Sequence, residues 1–181
     1  MTEQTLLQIP APWHATVEPG DIVAFRFPHE TEEADGSESP KVRPTLVTDV
    51  VERFGERYAV LAYGTTNPRR FGRREAYAID VLDETERDGA SLHRQTRFHA
   101  SRRLMVSLKN SGFDIRRDAG TALLGRLSGD SLKRLQQVRA RIHAEQDMRR
   151  DRNRQRRAAR PVVIETRRKG RIRSEKEVRH V

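Results

Sequence analysis

The chain has 181 residues, of which 36 are Lys or Arg and 26 are Asp or Glu, for a formal net charge of +10. That length suits one domain of ordinary size with an extension, and a charged share of 34% with a mean hydropathy of −0.83 is too polar for a uniformly packed globule. There is no cysteine for a disulfide or a thiolate metal site, the six histidines show no close ligand spacing, and no apolar run approaches the roughly 18 residues of a membrane span. The N-terminus also lacks a basic segment leading into an apolar core, so the expectation is a cytoplasmic protein with no cofactor, no metal and no membrane partner.

The charge is unevenly placed. From Arg149 to Val181 there are 14 Lys/Arg and 4 Asp/Glu, which accounts for the whole excess and leaves residues 1–148 formally neutral. A stretch of that density is an electrostatic footprint for a polyanion, nucleic acid before anionic membrane, against the plainer alternative of a solubilising extension. The organisation expected is therefore a leader over 1–18, a folded part over 19–148 and a basic tail over 149–181.

In chain order, residues 1–18 read as an irregular leader whose lone Trp13 is expected to tuck against the core rather than stack on a base. After the turn signal Pro19-Gly20, Asp21 to Phe27 reads as a strand with Val23, Phe25 and Phe27 on one face. His29 to Lys41 is acidic and aperiodic, a surface loop. Val42 to Val51 is a second strand entered through Arg43-Pro44, where proline is tolerated because the ladder has not begun. Phe54-Gly55-Glu56 makes a turn, and Tyr58 to Tyr63 is a near-continuous apolar run, the pattern of a strand buried on both faces. Shorter strands are predicted at Ala76 to Leu82, Leu104 to Leu108 and Thr121 to Leu124. Many short strands with turn residues between them suggest a barrel or a curled sheet. From Ser128, a predicted N-cap, Leu132, Leu135, Val138 and Ile142 recur at helical spacing. The apolar stripe stops beyond Met148, although the Arg-rich sequence permits helix as far as Pro161.

Candidate chemistry lies where strand ends and polar side chains coincide. Arg43 stands at the start of the second strand and Thr65 and Thr66 at the end of the third, and antiparallel neighbours bring those ends to one edge. A guanidinium matches a phosphodiester and a hydroxyl can donate to its non-bridging oxygen; alternatively Arg43 pairs with an acid and Thr65 caps a turn. Arg69, Arg70, Arg73 and Arg74 follow directly and could track a nucleic-acid backbone, or form a solvated hairpin. His29 is either a proton-transfer group or a solvated loop residue. Lys109 is either a phosphate contact or an ordinary surface lysine. In the tail, Arg149, Arg150, Arg156 and Arg157 are the candidate polyanion contacts.

The succession Pro19-Gly20-Asp21-Ile22-Val23, Arg43-Pro44-Thr45-Leu46-Val47, Val60-Leu61-Ala62-Tyr63-Gly64-Thr65-Thr66 and Gly125-Arg126-Leu127-Ser128 resembles the MazF/PemK family of toxin ribonucleases, over roughly Pro19 to Ala144. The resemblance implies a mainly β fold with a C-terminal helix, an SH3-like barrel of the MazF/PemK/CcdB type, here with a long basic tail that is helical or disordered. It also implies a homodimer that cuts single-stranded RNA without a metal, and a cognate acidic antitoxin. Arg43 and Thr65 fall on the family's catalytic positions, with attack by the ribose 2′-hydroxyl leaving a 2′,3′-cyclic phosphate and a 5′-hydroxyl. The loop before Arg43 is longer than is usual in the family, and the chain continues past the last helix. Two rivals stand beside this reading: a non-catalytic RNA- or DNA-binding barrel, for example one seated on ribosomal RNA, and a toxin of the same fold that blocks a protein such as gyrase.

Overall fold

The computed structural model describes residues 12–27, 41–67 and 75–158. The chain runs α1 (Trp13–Thr16), β1 (Asp21–Arg26), β2 (Val42–Arg53), β3 (Glu56–Thr65), β4 (Ala78–Val81), α2 (Glu84–Gly89), β5 (Thr96–Ser107), β6 (Leu123–Arg126) and α3 (Gly129–Ala158). The fold is mainly β with a C-terminal helix. Its six strands form one antiparallel sheet in the order β4-β5-β3-β2-β1-β6.

β2 and β3 are joined by two residues, Phe54 and Gly55, at φ 54° and 73°. Two positive φ values in succession match the right-handed twist of the strands they connect, which is why such turns close hairpins. One face of the sheet carries the apolar cluster of Val23, Phe25, Val47, Leu61, Val106 and Phe113. Trp13 packs edge-on against Phe113 with ring centroids 5.1 Å apart, so it does tuck against the core. Strand side chains alternate between faces, so Ile22, Leu46 and Phe98, all buried, lie on the other face. Leu135 and Val138 of α3 are buried too, and burial of each contributes about 2 kcal/mol.

The two outer strands, β4 and β6, are linked by α2. This helix begins three residues after β4 ends, and its last residues lie against β6, where a Cβ on Gly125 would come within 2.7 Å of the Ala90 carbonyl carbon. The Ser91 hydroxyl donates to the Leu124 carbonyl at 2.6 Å. A six-residue helix spans only ~9 Å, so both edges of the sheet are brought near each other and the sheet is curled.

Several boundaries differ from those the sequence predicts. The strand expected at Leu104 to Leu108 is the second half of a 12-residue strand that begins at Thr96. The segments expected at Ala76 to Leu82 and Thr121 to Leu124 are strand only over Ala78–Val81 and Leu123–Arg126. In the run Tyr58 to Tyr63, only Ala59, Leu61 and Ala62 are buried, whereas Tyr58, Val60 and Tyr63 are half-buried. The start of α3 is satisfied by a partner distant in sequence. The backbone N–H groups of Asp130 and Ser131 donate to the Glu86 carboxylate of α2, while Ser128 contributes its carbonyl to the first turn. Gly129, at φ 50°, lets the carboxylate approach.

The chain divides into two compact units at Ala140/Arg141. The sheet and the first turns of α3 belong to the first unit, and α3 continues as helix through Ala158 in the second. No helix among the described residues is long and apolar enough to cross a membrane.

Candidate functional site

Arg43 and Thr65 come together. The register of β2 on β3 pairs Leu46 with Ala62 and, carried on by three residues, sets Arg43 opposite Thr65. Gly64 makes that approach feasible, since a Cβ there would lie 3.0 Å from the Pro44 carbonyl and 2.8 Å from the Phe98 ring. Arg43 NH1 donates to the Tyr63 hydroxyl at 3.1 Å, and Thr65 Oγ1 accepts from the Asn67 backbone N–H at 3.2 Å. One of the plainer roles weighed for these residues, the turn cap at Thr65, is thus present in the structure.

Around this pair the same face turns polar. On β5, Arg97 is paired with Thr65 and His99 with Tyr63, while on β4 Asp80 faces Arg97 and Ala78 faces His99. Alternation sends the side chains of Arg43, Tyr63, Thr65, Arg97 and His99 to the face that carries the apolar cluster, at one end of it. Arg97 is buried at 2% exposure and makes a two-point pair with Asp80, with a longer contact from NH1 to Glu75 at 3.9 Å. The hydrogen bond that Arg97 donates to Asp80 raises the Arg97 pKa further and fixes the guanidinium as a permanent charge. Glu75 also meets His99, with Oε2 3.1 Å from Nδ1. A carboxylate on Nδ1 selects the tautomer with hydrogen there, which leaves the lone pair on Nε2. His99 Nε2 is buried and has no hydrogen-bond partner.

β5 reaches this arrangement through an irregularity. Ala62 pairs with Arg103 but Tyr63 pairs with His99, so Ala100, Ser101 and Arg102 are extra on the β5 side. Bulges of this kind re-aim side chains. Here Arg102 is brought over the Tyr63 ring, with its guanidinium carbon 5.4 Å from the centroid.

The remaining candidates are dispersed. Thr66 is exposed beside Thr65. Lys109 reaches Glu56 at 3.9 Å, at the far end of β3 and roughly 30 Å along the strand from Thr65. Arg149, Arg150, Arg156 and Arg157 are exposed on α3 in the second unit, where Arg150 pairs with Asp147 at 3.3 Å. Arg69, Arg70, Arg73, Arg74 and His29 lie outside the described residues, as does the tail beyond Ala158. Among the described residues there is no group of three or more His, Asp or Glu side chains able to hold a metal ion.

The sequence pointed to Arg43 and Thr65 but missed Tyr63, Arg97, His99, Arg102 and their carboxylates. The available signal was the alternation Arg97-Phe98-His99-Ala100, a strand with charge on one face. The chain matches no protein-family model and no curated protein.

Proposed function

We propose that this protein is an RNA-cleaving enzyme of the MazF/PemK type, an SH3-like barrel that works without a metal as the toxin half of a toxin and antitoxin pair. The observation that carries the reading is the convergence of Arg43, Tyr63, Thr65, Arg97 and His99 on one end of one sheet face, from three strands. Such a set has what 2′-hydroxyl attack needs. The 2′-oxygen bonds to phosphorus, the bond to the 5′-oxygen breaks, one proton leaves the 2′-hydroxyl and one arrives on the 5′-oxygen. Arg43 bears on the charge that develops at phosphorus, and the Thr65 hydroxyl donates to a non-bridging oxygen while its oxygen accepts from the Asn67 N–H. His99, oriented by Glu75, accepts the 2′-proton at Nε2, as carboxylate-held histidines do in other hydrolases. Its cover in the free protein has to be displaced by substrate.

A second reading, a non-catalytic RNA-binding barrel, is favoured by one observation: Thr65 Oγ1 and Arg43 both serve local structure, through Asn67 and Tyr63. Both readings share RNA as partner, with the basic residues of 149–181 adding electrostatic attraction. Incubation of the protein with long single-stranded RNA in EDTA separates them. Cleavage that is lost in Arg43→Ala and Thr65→Ala supports the enzyme; intact RNA with the wild-type protein leaves only the binding reading.

A further inference from the structure

Beyond Glu145, helix α3 carries its positive charge on one side. Residues 146–158 are all exposed, and they hold six arginines against two aspartates. At about 100° per residue, Arg149, Arg152 and Arg156 form one row and Arg150, Arg154 and Arg157 a second, the two centred roughly 130° apart around the axis. Asn153, short and uncharged, stands midway between them. Met148, Asp151 and Gln155 occupy the back, and Asp147 borders the second row, where Arg150 pairs with it at 3.3 Å. The stripe that holds the buried Ile142 is thus continued, at spacings of three and four, by the half-buried Glu145 and then by Arg149, Arg152 and Arg156.

This arrangement is unfavourable for a helix standing alone. Arg150 with Arg154, and Arg152 with Arg156, are like charges four residues apart, which weaken a helix. A helix that only solubilised the chain would intersperse both signs around the axis. Met148 is the one large apolar residue of the segment, so no apolar face is offered to a protein groove or to lipid acyl chains. Anions along both flanks turn the repulsion into attraction. A B-form duplex supplies them, since its major groove is about 12 Å wide, admits one α-helix and is walled on each side by phosphates. The major groove of A-form RNA is too narrow for this, and a single strand offers one row of phosphates rather than two.

We propose that residues 146–158 of α3 lie in the major groove of double-stranded DNA, with Arg149, Arg152 and Arg156 on the phosphates of one wall and Arg150, Arg154 and Arg157 on those of the other. Guanidinium groups meet phosphate oxygens as forked donors, and the short Asn153 between the rows lets the helix axis approach the floor of the groove. The contact goes beyond the RNA reading of the sheet face, and neither stands or falls with the other.

The probe is a DNA duplex of about 20 base pairs and mixed sequence, with an RNA duplex of the same sequence beside it. Affinity of the full chain is measured from about 50 to about 200 mM salt. Two triple variants, Arg149→Gln with Arg152→Gln and Arg156→Gln, and Arg150→Gln with Arg154→Gln and Arg157→Gln, keep good helix formers in place. Each is expected to weaken binding to DNA more than about tenfold at the low end, and to reduce the slope of log affinity against log salt by about 2.7, the value for three phosphates on B-DNA. Methyl green, which occupies the major groove, is expected to displace the protein, and netropsin, which occupies the minor groove, to leave it bound. Wild-type affinity and slope in either triple variant, with wild-type circular dichroism, overturns the proposal. So does a wild-type protein that fails to bind the DNA duplex, that binds the RNA duplex as tightly, or that is displaced by netropsin and not by methyl green.

Discussion

Arg97 and Asp80 meet across β5 and β4 as a two-point pair, with Nε 2.6 Å from Oδ1 and NH2 2.7 Å from Oδ2. The arginine side chain is 2% exposed and the aspartate 28%, so the carboxylate is what makes burial of the guanidinium tolerable. Asp80→Ala removes the two-point partner of a buried charge, and is expected to cost about 3 kcal/mol of unfolding free energy in urea. A loss of less than about 0.5 kcal/mol would place the pair among surface ion pairs, which contribute little.

Gly64 controls how closely β2 and β3 approach at the Arg43–Thr65 end. Gly64→Ala puts a methyl 2.8 Å from the Phe98 ring and 3.0 Å from the Pro44 carbonyl, and the backbone oxygen has little room to yield. The variant is expected to lose about 1 to 3 kcal/mol of stability. RNA binding should weaken beyond what the loss of folded protein explains. Wild-type stability and binding together would show that the strand ends need no such closeness.

Glu86 closes the N-terminus of α3 by accepting from the Asp130 and Ser131 backbone N–H groups. Capping oxygens are worth about 1 kcal/mol, and a negative charge at that end adds to this. Glu86→Ala should therefore lower stability by about 1 to 2 kcal/mol, and Ser128→Ala should have a much smaller effect. The opposite order in thermal unfolding would return the cap to Ser128.

Glu56 has its carboxyl held below the ordinary 4.5, first by the hydrogen bond from Ser107 and then by that from Tyr58. A depressed carboxylate adds stability that is present above its ordinary value and is lost as pH falls through its lowered folded value. The thermal midpoint of the wild-type protein should therefore drop more steeply than that of Ser107→Ala as pH is taken from about 5 to about 3. Parallel curves would remove Glu56 from the acid response.

How far the fold is legible in the sequence differs from element to element. The alternation of Val23, Phe25 and Phe27 and the Phe54-Gly55 turn are local signals, and the strands and hairpin they predict are present. α2 was not predicted because Glu84–Gly89 has no apolar stripe; it is held by Asp83, whose side chain accepts from the Glu86 N–H, and by its own capping of α3. The first half of β5 was missed for a related reason. Arg97 and His99 look like solvent-facing residues, and their burial depends on Asp80 and Glu75, some 17 and 24 positions away in the chain. The same distance hid most of the candidate site: Arg43 and Thr65 are strand-end residues visible by pattern, whereas Arg102 reaches Tyr63 only because three residues are inserted in the pairing.

The most direct test is the chemistry of the RNA ends left by the purified protein in EDTA. Attack by the ribose 2′-hydroxyl predicts 2′,3′-cyclic phosphate and 5′-hydroxyl termini, and no cut at a linkage whose preceding ribose is 2′-O-methylated. Ends bearing a 5′-phosphate, cutting at the methylated linkage, or RNA left whole would contradict it.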